Sequence, residues 1–284
     1  MRTGLVMNEN IMVIWFVLSA FSVFFIVIDL RNTPAHPIIK WAFFILALFT
    51  GPFALLFYVI GCREPLKQMH ETFVAVRWRQ VLGSTMHCAA GDGIGIIVGT
   101  VLATQWHFPA WGDLVFEYIL GFGFGWGIFQ AFAMREMAGG SYLRSLRQTF
   151  LPELLSMNLL MTGMVVTNRL LMPVIAGSTN TLSVGFWFVM SMALIVGFTF
   201  AYPINWWLVS TGLKHGMITV RTASQSLQVV KVASEHSPAH GQPMSGFEGI
   251  TPMVGPSITW KAIMTIISIA FFALGLALTG GLSP

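Results

Sequence analysis

The sequence predicts an all-α protein: a polytopic transmembrane helix bundle of about seven spans with its N-terminus in the cytoplasm. Composition is the first reason. Of 284 residues, 55% are hydrophobic and 9% charged, whereas a soluble domain carries about 25% charged residues to solvate its surface. Mean hydropathy is +0.75. Recurrence is the second reason, because apolar stretches of eighteen or more residues without a charge return along the whole length. The third is the absence of period-two alternation, which disfavours a β-barrel.

A helix rises about 1.5 Å per residue and needs about twenty apolar residues to cross a bilayer. Seven segments qualify: 11–30, 38–61, 80–105, 113–134, 151–173, 182–209 and 258–282. The first is too long for a signal peptide, and Asp29-Leu-Arg-Asn follows it where a small-residue cleavage site should lie. With seven spans, twelve of the fifteen Lys and Arg residues fall in the N-terminus and the even loops, which puts those parts in the cytoplasm. The division that follows is a six-span core over 1–217, a flexible cytoplasmic linker over 218–257 and a seventh helix over 258–284. The linker reading rests on Pro238, Gly241, Pro243, Gly246, Pro252 and Pro256. Residues 214–234 are a candidate extension of the sixth helix along the membrane surface, and the last span looks like an appendage. The pI near 9.3 reflects orientation signals rather than nucleic-acid binding. Two cysteines, Cys62 and Cys88, cannot build a disulfide scaffold.

The third segment carries the most specific signal. Gly83, His87, Gly91, Gly95 and Gly99 recur every four residues, so they form one narrow stripe on which a neighbouring backbone can approach closely. Cys88 and Asp92 share the adjacent face. An ionisable group at mid-membrane costs about 2.5–3.5 kcal/mol on insertion scales, which makes function the default reading of Asp92. One functional reading is a metal site, since imidazole and thiolate suit copper, zinc or iron, with Asp92 as ligand or proton acceptor. The bland alternative is a buried polar knot in which Cys88 packs as a small apolar group.

On the fifth segment Glu153, Met157, Met161 and Met164 lie on one helical face, a candidate thioether ladder or ordinary flexible packing. On the sixth, Pro203 predicts a kink and Asn205 places an amide at the depth of Glu153. Trp206 and Trp207 with Lys214 equally make an interfacial belt. Gly121-Phe-Gly-Phe-Gly-Trp-Gly127 on the fourth segment reads as a packing surface, flanked by Glu117 and Gln130, either of which could be an interface residue. His236, His240 and Met244 in the linker could catch a metal weakly.

Three blocks together, His87-Cys88-x-x-Gly91, Tyr202-Pro-x-Asn-Trp-Trp207 and Gly212-x-Lys214-x-x-Met217, resemble the prokaryotic membrane family catalogued as domain of unknown function 4396, over about residues 11–217. The resemblance implies a multi-pass protein of the prokaryotic cytoplasmic membrane and, through relatives associated with copper-oxidase-like domains, leans toward copper. Many members have a second Cys where this chain has Asp92.

The leading expectation is binding or transport of a soft transition metal, most of all copper, with zinc or iron as alternatives. His87, Cys88, Asp92, Met157 and Met161 are the candidate ligands, and Glu153 and Asn205 the substrate or proton path. One alternative is an accessory subunit of a larger membrane complex of oxidase or monooxygenase type, with partner subunits besides the bilayer. A further one is a proton-coupled small-solute transporter using Asp92 and Glu153 as carriers. Catalysis by the chain alone ranks last, because no nucleophile–base pair or phosphate loop is visible.

Overall fold

A computed structural model describes residues 9–63, 70–135, 140–216 and 255–279. Every regular element among them is helical. In chain order these are α1 (Glu9–Asp29), α2 (Pro37–Thr50), α3 (Pro52–Gly61), α4 (His70–Val74), α5 (Arg77–Trp106) and α6 (Ala110–Phe122). A π-helical stretch (Gly123–Gln130) continues α6 into α7 (Ala131–Met134), followed by α8 (Tyr142–Leu171), α9 (Val184–Ser210) and α10 (Ile258–Thr279). Helices α1, α5, α8, α9 and α10 are each long and apolar enough to cross a bilayer. This is a membrane-helical protein.

The segment expected as the second span is not one continuous helix. It folds as two helices joined at Gly51, whose φ of +47° suits glycine, followed by Pro52, which has no N–H with which to continue the ladder. Helix α3 then returns the way α2 came. The Tyr58 hydroxyl donates to Asp29 Oδ2 at the end of α1 (2.6 Å), and its ring meets Phe43 of α2 edge-on at 5.3 Å. Arg63 Nε donates to the same carboxylate at 2.9 Å. The tip lies deep in the bundle: Phe49 stacks on Trp187, and Gly51 abuts Ser19, halfway along α1. Broken backbone at this depth is tolerated because protein covers it.

This re-entrant hairpin takes 38–61 out of the segments that run the length of the bundle as one helix. Among the described residues six helical runs traverse the bundle: α1, α5, α6 through α7, α8, α9 and α10. The early part of α1 packs with the start of α9, Trp15 against Phe188, and with Ile97 near the end of α5. The far end of α1 instead lies with both ends of the hairpin, the start of α5 and the end of α9. Among the described residues every Lys and Arg except Arg169 falls at that second end, called here the basic end.

Helices α5, α8 and α9 form the buried centre. Helices α8 and α9 pack most extensively, closest at Gly163, where an added Cβ would meet Gly197 Cα at 2.7 Å. Helix α1 exposes Ile14, Val17, Phe21 and Phe24, and α10 exposes Ile266 and Leu278, as lipid-facing helices do. Helix α10 runs along α8, with Asn158 Nδ2 donating to Ser268 Oγ at 3.1 Å. Helix α9 passes through Pro203 without a break and ends at Ser210; the candidate helix extension over 214–234 lies, from 217 on, outside the described residues. Residues 218–254, with His236, His240 and Met244, lie outside the described residues.

Candidate functional site

The glycine stripe of α5 faces α6 and the π stretch. A Cβ on Gly95 would meet the Gly121 Cα at 2.6 Å, so the two backbones nearly touch. This contact seats the α5 side chains in the middle of the bundle, where Cys88 and Asp92 have no solvent exposure.

The two neighbours His87 and Cys88 turn different ways. His87 Nε2 lies 3.2 Å from the Phe129 carbonyl, and its Nδ1 has no partner among the described residues. The Cys88 thiol donates to Glu153 Oε2 on α8 at 3.3 Å. The same oxygen accepts from Gln130 Nε2 at 2.9 Å and from Lys214 Nζ at 3.2 Å. Gln130 Nε2 also lies 3.2 Å from Cys88 Sγ. Three donors on one oxygen, one of them an ammonium, is the setting of an ionised carboxylate. Glu153 and the Lys214 side chain are 0% and 3% exposed, so this ion pair is fully desolvated.

Asp92 completes the cluster. A Cβ on Gly125 would overlap Asp92 Oδ1 and come within 2.8 Å of Glu153 Oε1, so the two carboxylates meet over that glycine. Neither oxygen of Asp92, nor Oε1 of Glu153, has a hydrogen-bond partner among the described residues. One ammonium thus faces two carboxylates, and the second needs a proton or another cation to be tolerable at this depth.

The other sequence candidates lie elsewhere. Met157 Cε reaches the place where a Gly121 Cβ would sit, beside Ile96, and Met161 packs in the apolar core with Leu160 and Ala193. Asn205 Nδ2 donates to Ser156 Oγ (2.8 Å) and the Ala201 carbonyl (2.9 Å), fastening α9 to α8. Among the described residues no three His, Cys, Asp or Glu side chains group as a metal site. The Cys88 thiol donates to a carboxylate, His87 Nε2 lies against a carbonyl and the thioethers pack among apolar side chains.

Sequence reasoning set Gln130 aside and read Lys214 as part of an interfacial belt, and both belong to the cluster. Gly125 and Gln130 are five residues apart, the spacing that closes a π-helical hydrogen bond, so both reach Glu153 from one stretch. Lys214 arrives by a turn: Gly212, at φ +71°, reverses the chain after α9. The N–H groups of Leu213 and Lys214 fold back onto the Leu208 carbonyl.

Two cavities flank the cluster. At the basic end, about 130 Å³ is lined by Gln130, Thr149, Lys214 and His215 among others. Burial pushes the His215 imidazole below its usual range, which keeps it neutral at pH 7 beside the lysine. At the opposite end, about 210 Å³ is lined by Thr100, Asp113, Glu117, Asn168, Arg169 and neighbouring apolar groups. Asp92, Ile96 and Thr100 follow one face of α5, so Ile96 and Met157 form an apolar plug between Asp92 and the second cavity.

A model of the family described as Domain of unknown function (DUF4396) matches residues 77–214. This bears out the resemblance drawn from the sequence, over a shorter stretch than 11–217: α5 through Lys214, the part that holds the whole buried cluster. No curated protein and no solved structure matches.

Proposed function

We propose that this membrane protein, which matches the DUF4396 family model over residues 77–214, is a proton-coupled carrier of a small solute, with Asp92 as the proton-bearing group. The observation that carries the reading is Asp92 itself: wholly buried, without a hydrogen-bond partner among the described residues, and set against a carboxylate already neutralised by Lys214. A proton is the smallest cation that would balance it. Glu153, Gln130 and Lys214 form a fixed station open to the cavity at the basic end, and protons reach Asp92 from there. The Ile96–Met157 plug separates Asp92 from the opposite cavity, an arrangement that favours alternating access over a continuous channel.

By the positive-inside rule the basic end is cytoplasmic, which puts Glu9 and the α5–α6 connection outside, in the cytoplasmic membrane of a prokaryote. A single cysteine added near the N-terminus should react with a membrane-impermeant maleimide in intact cells; protection until lysis would reverse the orientation. Function is tested in proteoliposomes holding a pH-sensitive dye, with a mixture of small polar solutes added outside. Wild-type protein should admit protons on addition, whether or not a metal chelator is present, and Asp92→Asn should slow this at least tenfold. Equal rates in the two proteins, or loss of the wild-type signal on chelation, would overturn the reading.

A further inference from the structure

We infer that the cavity at the end opposite the basic loops is a binding site for a small zwitterion bearing one ammonium and one carboxylate. Its volume of about 210 Å³ holds roughly seven waters at about 30 Å³ each and falls below the usual range of about 300–1,000 Å³ for drug-sized ligands.

The polar groups are of both signs and are not spent on one another. Glu117 is 8% exposed. Its Oε1 accepts from Thr100 Oγ1 at 2.5 Å, and its other oxygen has no hydrogen bond to a described residue. One turn earlier on α6, Asp113 Oδ1 is buried without a hydrogen-bond partner among the described residues, as is Asn168 Oδ1 on α8. Glu117, Asp113 and Asn168 thus line one cavity with acceptor oxygens, the complement of an ammonium with three N–H donors. Arg169, exposed on the next residue of α8, makes no ion pair with a described residue, although two carboxylates line the same cavity. A free guanidinium presents two parallel N–H groups to a carboxylate. Met172, Pro173 and Leu114 supply the apolar wall. An acid-lined site for a bare cation would have no use for Arg169, and an anion site would not bury Glu117.

The inference deepens the carrier reading by naming its solute class, but it stands on residues separate from Asp92. Isothermal titration of the purified full chain in detergent would use glycine, β-alanine and 4-aminobutyrate, with methylammonium and acetate as single-charge probes. At least one zwitterion should bind tenfold or more tightly than either single-charge probe. Glu117→Gln and Arg169→Gln should each weaken it at least tenfold, and Arg31→Gln, exposed at the basic end, should leave it within twofold. Absence of binding by all three zwitterions, or binding unchanged in both cavity variants, would overturn the inference. Binding that survives in Asp92→Asn while proton entry is lost would support both readings. Proton entry in wild type without zwitterion binding would sink this one alone.

Discussion

The two ends of this bundle treat charge in opposite ways. At the basic end, Glu153, Lys214, Gln130 and Cys88 are buried and bonded to one another through Glu153 Oε2. At the other end, Glu117, Asp113, Asn168 and Arg169 line an open cavity, and several of their polar atoms have no protein partner among the described residues. Burial explains the difference in physical terms. A desolvated charge must be neutralised locally or it unfolds its surroundings, whereas a charge at the mouth of a cavity can stay solvated until a ligand displaces the water. The first arrangement is a permanent electrostatic fixture, and the second is receptive. Asp92 lies between them, in the first environment but without the first environment's compensation.

The largest expected effect follows from removing one member of the sealed pair. Lys214→Met leaves Glu153 buried with Gln130 and Cys88 as its remaining donors. Breaking such a pair costs about 3–5 kcal/mol, which should appear as a marked fall in thermal stability in detergent. Adding Glu153→Gln in the same chain should return most of the loss, since a neutral amide no longer needs the ammonium. A Lys214→Met protein as stable as wild type would mean that the pair is not the fixture described here, and the contrast between the two ends would collapse.

How much of this arrangement was legible in the sequence depends on which periodicity governed each part. The α5 stripe and the shared face of Cys88 and Asp92 obey α-helical spacing, and the structure keeps both: the glycines meet the α6 backbone and the two side chains point to Glu153. Gln130 was missed because it and Gly125 reach Glu153 together across a π turn, five residues apart, which an α-helical count separates. Lys214 was misread because hydropathy treats a lysine after the last apolar residue as an interfacial anchor. Only the conformation of Gly212 turns it inward, although the Gly212-x-Lys214 block had carried the family resemblance. The hairpin of α2 and α3 was invisible to length and hydropathy, since 38–61 is long and apolar enough to span. The signal was there in Gly51-Pro52, which can join two helices folded back on each other. That single reversal returns the chain to the end of the bundle where α1 finished.

The smallest expected effect probes the receptive end. Arg169 is exposed and makes no ion pair with a described residue, so Arg169→Gln deletes no compensated interaction. An exposed position of this kind changes stability by about 0.5 kcal/mol or less, against several for Lys214→Met, and the melting temperatures of the two variants measured side by side should separate accordingly. The comparison is informative because both residues are cations within reach of carboxylates, and only their solvation differs. If Arg169→Gln proved as damaging as Lys214→Met, the guanidinium would have to hold the cavity together in the resting protein. A group that cements the wall is not free to receive a carboxylate, so that outcome would turn the open end into a second sealed one.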